Sequence, residues 1–470
     1  MKQDPTIASV SVEGLHDQFD FHINLLPGLN VLYGKNGRGK TTLLHLLANI
    51  LELDFQRFTF LQFHRITVAT SLGDSIDLIK DEPGTLPKVF LNGNLTSLSS
   101  TNSLSELELE RLREALGERP TYLPAFRSIL ERARSDQERY YRNAAAERRD
   151  ADYELVAASE LTALRAHYGR QGVGITPRQI QDEAVAIAEK TILCRQWFGK
   201  FVPVIRYPSV ADVEDALSEE WRRAALEVSS KEQRMFEETF VQVFRIVSGL
   251  ESIPTTETND DIISSISSLL MDQEIQASNS ESRAVFDKLL MSAHSLSSSN
   301  TPMRGVDNSL LGLYRQLLET RNSERRVAFQ KSREFEQSIN RFLDNKTLKI
   351  GNTGSRPRLR QQVLVNTSAG PAYGLSALSS GERQILTMLY SASRTRFASG
   401  AFLIDEPELS LHIDWQRIIL KELRNQSPDR QIIACTHSPE VGADHFLENQ
   451  DFEPEHSPRG QDTLFTDEEL

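Results

Sequence analysis

The stretch Gly34-Lys35-Asn36-Gly37-Arg38-Gly39-Lys40-Thr41 constrains the fold more than any other part of the chain. An apolar run, Leu29-Asn30-Val31-Leu32-Tyr33, precedes it, and Leu43, Leu44, Leu46 and Leu47 follow at helical spacing. Strand, glycine-rich turn and helix in that order read as a phosphate loop. Gly34, Gly37 and Gly39 free the backbone to turn several N–H groups toward one point, where the positive end of the next helix adds to the attraction. Lys40 is expected to reach the β and γ phosphates of a nucleotide and Thr41 to place its hydroxyl on Mg²⁺, with Asn36 and Thr42 completing the binding set. The alternative is a glycine-rich turn that binds nothing.

Far downstream, Ala401-Phe402-Leu403-Ile404 is a short, wholly apolar run, the pattern of a buried parallel strand. It ends in Asp405-Glu406-Pro407. Asp405 is expected to hold Mg²⁺ directly or through water, and Glu406 to polarise the attacking water as general base. Read alone, the pair is equally an exposed acidic turn after a core strand.

Between these lies Leu378-Ser379-Ser380-Gly381-Glu382-Arg383-Gln384, at the start of a helix expected over 382–392. A serine hydroxyl and free N–H groups at a helix start make a second anion site. The same Ser-x-x-Glu/Gln spacing also caps helices, and the two roles coexist. The segment resembles the signature motif of ABC-type ATPases. In that class the serine and the backbone of the following small residues touch the γ-phosphate held by the opposite subunit. Ser379 matches the serine, Ser380 stands where glycine is more usual, and Gly381 follows. The resemblance also assigns His437, after the apolar Gln431-Ile432-Ile433-Ala434-Cys435, to the γ-phosphate.

The implied fold is α/β: an ABC-type P-loop ATPase head, a mixed sheet flanked by helices, split by a long, mainly helical insertion. About 340 residues separate Lys40 from Ser379; transporter domains keep these motifs far closer and SMC-type proteins far further apart. The expected division is 1–125 for the N-terminal ATPase lobe, 126–343 for the helical insertion, 344–445 for the C-terminal lobe and 446–470 for an acidic tail. Residues 7–15 and 19–25 alternate like an antiparallel hairpin, and 58–78 reads as further strand. From 104 to 343 the pattern is helical, with 266–271 and 284–290 helical inside a serine-rich stretch, and no heptad register persists as in an SMC arm.

Asp405-Glu406-Pro407-Glu408-Leu409-Ser410-Leu411-His412 is similar to the SMC/RecF/OLD-like class. Within it the run is closest to ATPase subunits of two-gene antiphage systems such as PARIS (AriA-like), Septu (PtuA-like) and Gabija. Thr121-Tyr122-Leu123-Pro124-Ala125-Phe126-Arg127-Ser128 occupies the place of a glutamine-bearing loop, without a well-placed glutamine. Arg127 is expected either to face the nucleotide or the dimer interface, or to be an ordinary surface arginine.

The 470 residues carry a net charge of −13 and 39% hydrophobic residues, enough for two or three domains. No apolar run approaches the ~18 residues that span a bilayer, and Met1-Lys2-Gln3-Asp4-Pro5 leads straight into a strand, so no leader and a cytoplasmic location are expected. Cys194 and Cys435 form no CxxC pair. The resemblance implies ATP and Mg²⁺ as cofactors and a homo-oligomer built around ATP. No Toprim or other nuclease cluster is evident, so it also implies a separate nuclease effector, with a phage-encoded trigger. The alternative is a RecF-like DNA-binding repair ATPase, for which 356–360 and the arginines of 127–149 are candidate contacts, though the net charge disfavours extensive phosphate contact. A transporter subunit and a non-hydrolysing ATP-binding protein are further alternatives.

Overall fold

The computed structural model describes residues 4–98, 104–127, 151–171, 176–250, 259–274, 305–351, 363–367, 370–393 and 400–457. The chain divides into two units, residues 1–210 with 380–470, and residues 211–379.

The first unit is built on two sheets. Strands β1 (Ile7–Leu15) and β2 (Phe19–Asn24) form the expected antiparallel hairpin. They join β4 (Arg65–Thr70), β5 (Ser75–Ile79), β6 (Lys88–Leu91), β7 (Asn94–Leu95) and β14 (Glu455–His456) in a seven-stranded antiparallel sheet. The strand reading of 58–78 holds from Arg65; before it, Phe55–Phe60 is a 3₁₀ helix. Lys80 Nζ stabilises that turn, donating to the carbonyls of Phe58 (3.0 Å) and Leu61 (2.8 Å).

The second sheet is parallel throughout. Its order is β13 (Asn449–Asp451), β3 (Leu29–Tyr33), β12 (Ile432–Thr436), β11 (Phe402–Asp405), β8 (Thr121–Leu123). Strands from both ends of the sequence thus interleave in one sheet, so the head is a single split α/β unit of the P-loop type. β11 and β12 are buried at every position, which explains their unbroken apolar composition. Three-residue β8 lies inside the span expected to be helical; it is too short for a period to show.

Gln431 ties the sheets together. Its side chain accepts from Ile7 N at 2.8 Å and donates to Ile7 O at 2.7 Å and Leu26 O at 2.8 Å. Helix α1 (Lys40–Glu52) packs against the parallel sheet and ends at Leu53 in the left-handed region. Further along are α2 (Glu106–Leu116), α3 (Ala151–Gln171) and α4 (Pro177–Phe198). The sequence places α3 and α4 in the insertion, yet they group with the head. Charge accounts for this: Glu52 at the end of α1 and Glu160 of α3 share Arg119 and Arg206, while Asp152 binds Arg57 and Arg195. Burial alone would raise Glu52, but Arg206, Arg119 and Arg113 hold it below its ordinary value.

The second unit is mainly helical. It contains nearly all of α5 (Val210–Val247), with α6 (Asn259–Glu274), α7 (Gly305–Ala328) and α8 (Gln330–Asn340). Ile262 and Ile266 of α6 pack on Leu318 of α7, and Arg321 of α7 pairs with Glu232 of α5 at 2.7 Å. An antiparallel strand pair, β9 (Lys346–Ile350) with β10 (Val363–Thr367), follows. The 266–271 helix lies within α6; the helix at 284–290, the arginines of 128–149, the basic run 356–360 and the tail from 458 fall outside the described residues. Among the described residues no helix is long and apolar enough to cross a membrane.

Candidate active site

Sheet order assembles the site. β3, β12 and β11 are consecutive neighbours and parallel, so the turns leaving their C-terminal ends meet at one edge. Those turns carry Gly34–Thr41, His437 and Asp405–Glu406. Ligands bind at this edge in parallel α/β sheets because helix N-termini converge there.

Gly37 and Gly39 have φ of 78° and 92°, values that L side chains rarely adopt. Gly34 is close-packed instead: a Cβ there would stand 2.7 Å from the carbonyl oxygen of Phe452. Asn36 is exposed on the loop, and Thr42 is half-buried as the third residue of the helix. Lys40 is buried, its Nζ donating to the carbonyls of Gly34 at 2.6 Å and Lys35 at 2.9 Å. The ammonium therefore lies beneath the loop that would hold the phosphates.

Thr41 Oγ1 donates to Asp405 Oδ2 at 2.8 Å. Asp405 Oδ1 is buried and makes no hydrogen bond. Burial pushes the Asp405 carboxyl up to about 6; Glu406 and Glu408 add to this, whereas Thr41 and Arg127 oppose it. A hydroxyl, a carboxylate oxygen lacking a partner and an acid disfavoured as a bare anion are the donor set a divalent cation would satisfy, so the residues fit Mg²⁺. No cluster of three or more His, Cys, Asp or Glu suited to a metal occurs among the described residues. A cation here would draw its remaining ligands from phosphate and water.

Glu406 adopts φ 47°. Its Oε1 lies 3.6 Å from His437 Nδ1, and Glu408 Oε1 lies 3.1 Å from the same nitrogen. Glu408, to which the sequence reading assigned no role, is the organiser of this turn. Its Oε1 accepts from Thr436 Oγ1 (2.6 Å), His437 N (2.9 Å) and Ser438 N (3.1 Å). Nδ1 of the partly exposed His437 thus faces both carboxylates.

Arg127 is not a surface residue. It is fully buried, and its guanidinium donates to the carbonyls of Pro124 (3.2 Å), Asp405 (2.9 Å), Glu406 (2.9 Å) and Pro407 (3.2 Å). The expectations that it faces nucleotide, a dimer interface or solvent are corrected: main-chain oxygens of the acidic turn engage it. Spacing along the chain gives no sign of this, because the carbonyls lie 278–280 residues away.

The signature segment straddles the division between the units, with Ser379 closing the second and Ser380 opening helix α9 (Ser380–Ser393) in the first. Both serines are exposed and Leu378 is buried. Gly381 packs on the turn after the acidic pair rather than on the phosphate loop; a Cβ there would lie 2.9 Å from Ser410 O and 3.2 Å from the Trp415 ring. His412 is the N-cap of α10 (Ile413–Gln426), its ring beside Asp414 at 3.2 Å.

Comparison with known proteins agrees in kind. Residues 242–444, under half of the chain, match the family model described as "AAA domain, putative AbiEii toxin, Type IV TA system". A "Retron Vc95 probable ATPase" from Vibrio cholerae serotype O1 biovar El Tor is 31% identical over 146 residues, 27% of each chain. The match thus spans about a quarter of that relative's length. Both support ATPase activity. Among solved structures, the Smc head domain with an extended coiled coil from Pyrococcus furiosus aligns over 98% of both chains at 10% identity, with a TM-score of 0.39. The recombination mediator protein RecF aligns over 93% of this chain and 94% of its own, at 11% identity and a TM-score of 0.31. At such scores neither adds to the fold read from strand order.

Proposed function

We propose that this protein binds and hydrolyses ATP, oligomerises around it, and serves as the sensor or scaffold of an antiviral defence system, controlling a separate nuclease effector. The observation that carries the chemistry is the convergence of Lys40, Thr41, Asp405, Glu406 and His437 at one edge of the parallel sheet. Lys40 and the loop N–H groups bind the phosphates, and Thr41 and Asp405 hold Mg²⁺, which neutralises charge on the transferred phosphoryl group. Glu406 polarises water; His437 faces the γ-phosphate.

Ser379 and Ser380 supply the reason to oligomerise. An exposed serine pair at a helix start is a second anion site, and the γ-phosphate held by another copy is its partner. ATP then joins two copies, and hydrolysis removes the shared contacts. The defence role rests on the likeness to the retron ATPase and on the sequence around Asp405–His412.

A native-locus pull-down of the Glu406→Gln protein with ATP, followed by mass spectrometry and a nucleic-acid stain, tests this. A stoichiometric protein with nuclease motifs supports the sensor reading. DNA retained without such a protein, with salt-sensitive affinity, moves the assignment to a RecF-like DNA-binding ATPase.

A further inference from the structure

We infer that Arg127 is a positioning residue for ATP hydrolysis, holding the general base Glu406 in place through the backbone of its turn. The inference rests on the hydrolytic reading above and adds a residue to it.

Glu406 is held at φ 47°, a region few non-glycine residues occupy, and Pro407 after it narrows its conformations further. Strain of this kind persists where the surroundings over-determine it. Two sets of contacts do so here. From one side Glu406 N donates to the carbonyl of Cys435 at 2.9 Å, anchoring the turn to β12. From the other, the Arg127 fork reaches the carbonyls of Asp405, Glu406 and Pro407. Three successive carbonyls pointing inward toward one cation is an arrangement that a neutral or shorter side chain cannot satisfy. The planar fork of arginine matches it, whereas an ammonium offers a single point.

Arg127 is itself held. Its loop begins at the end of β8, which pairs with β11, so both ends of the clamp are fixed to adjacent strands. The neighbouring Phe126 stacks on Phe198 of α4, with ring centroids 3.8 Å apart and planes within 10°. This loop occupies the place where the resemblance leads one to seek a glutamine. An arginine acting on the backbone of the acidic turn takes over the coupling of that strand to the base.

The consequence is specific. Loosening this turn moves the Glu406 carboxylate while leaving Lys40 and the phosphate loop in place, so turnover suffers and nucleotide affinity does not. Misplacement of a catalytic group by about 1 Å is enough for a loss on the order of 100-fold.

The test compares wild type, Arg127→Lys, Phe126→Ala, Glu406→Gln and the Arg127→Lys/Glu406→Gln double variant. Each is assayed for steady-state and single-turnover ATP hydrolysis, binding of a fluorescent ATP analogue and thermal melting. Arg127→Lys is expected to lower kcat about 30-fold or more while the analogue's Kd stays within about threefold. In the Glu406→Gln background the same substitution should leave the residual single-turnover rate unchanged, because its effect runs through Glu406. Phe126→Ala, which frees the loop without removing the guanidinium, should show a smaller loss of kcat with the same unchanged Kd. It also decides the matter where the lysine variant melts before the assay temperature. Losses that multiply in the double variant, or Kd rising in step with the fall in kcat, overturn the inference. A wild-type protein that binds the analogue and hydrolyses nothing overturns the hydrolytic reading instead.

Discussion

Thr41 and Asp405 stand 364 residues apart in the chain and share a hydrogen bond of 2.8 Å. The bond spans the split in the head: the phosphate loop supplies the hydroxyl and the second half of the sequence supplies the carboxylate. Because burial raises the Asp405 carboxyl to about 6, protons would compete with a bound Mg²⁺ for it in mildly acidic solution. The Mg²⁺-dependent part of nucleotide affinity should therefore weaken about tenfold between pH 7 and pH 5. Titrations of a fluorescent ATP analogue at both pH values, with Mg²⁺ and with EDTA, measure that difference.

Lys40→Ala removes the ammonium held beneath the loop at 2.6 Å from Gly34 O. Nucleotide affinity should fall about 100-fold or more, taking hydrolysis and ATP-driven assembly with it, since a charge-assisted contact to phosphate is lost with nothing to replace it. Calorimetric titration with ATP is the direct check, with an unchanged melting temperature in the absence of nucleotide confirming that the fold survives.

Glu406→Gln keeps the size of the side chain and removes its basicity. Turnover is expected to drop 10²- to 10⁴-fold, on the order found for loss of a general base, while ATP still binds. The protein should accumulate in its ATP-bound oligomer, seen by light scattering after size exclusion with and without ATP.

Gly381→Ala would push a methyl group against Ser410 O and the Trp415 ring, at 2.9 and 3.2 Å. The backbone oxygen cannot give way as a flexible side chain does, so helix α9 shifts, at a cost of about 1–3 kcal/mol. Nucleotide binding to the isolated chain should persist and the ATP-dependent oligomer should not form. Sedimentation velocity with ATP distinguishes the two.

His45, inside α1, accepts or donates a 2.9 Å hydrogen bond with Tyr122 OH, and burial lowers it to about 3 from 6.5. The unfolded chain binds this proton between those values and the folded chain does not. Stability from this residue is therefore complete above about pH 6.5 and is lost as pH falls toward 3, amounting to about 3 kcal/mol by pH 4. Asp405 slopes the other way. Its raised folded value means stability falls as pH rises from 3.8 to about 6. The contribution of His45 is thus read as the difference between denaturant titrations of wild type and His45→Gln at pH 4 and pH 7.

Local pattern was enough for the elements whose information is contiguous. Leu29–Tyr33, Phe402–Asp405 and Ile432–Thr436 are strands wherever a run of apolar residues must be buried on both faces. The glycines at 37 and 39 announce a left-handed turn because other residues pay strain there. The hairpin of β1 and β2 shows in the alternation of its side chains. Thr121–Leu123 escaped because three residues carry no period, and Phe58 because a 3₁₀ turn and a strand are equally apolar at that length.

Residues whose role depends on distant backbone were invisible to the sequence. Arg127 heads the stretch 127–149, whose arginines interleave with acids and suggest a solvated face, yet four carbonyl oxygens, three of them from the acidic turn, take it into the core. Glu408 looks like one more acid in an acidic loop until Thr436, His437 and Ser438 are found converging on it. The sequence alone determined which short segments form the glycine-rich loop and the acidic turn, since those depend on residue type and nearest neighbours. Only the tertiary structure decided which buried polar groups hold them in register, because a hydrogen bond is satisfied by whichever partner the fold brings within 3 Å, however far away it lies along the chain.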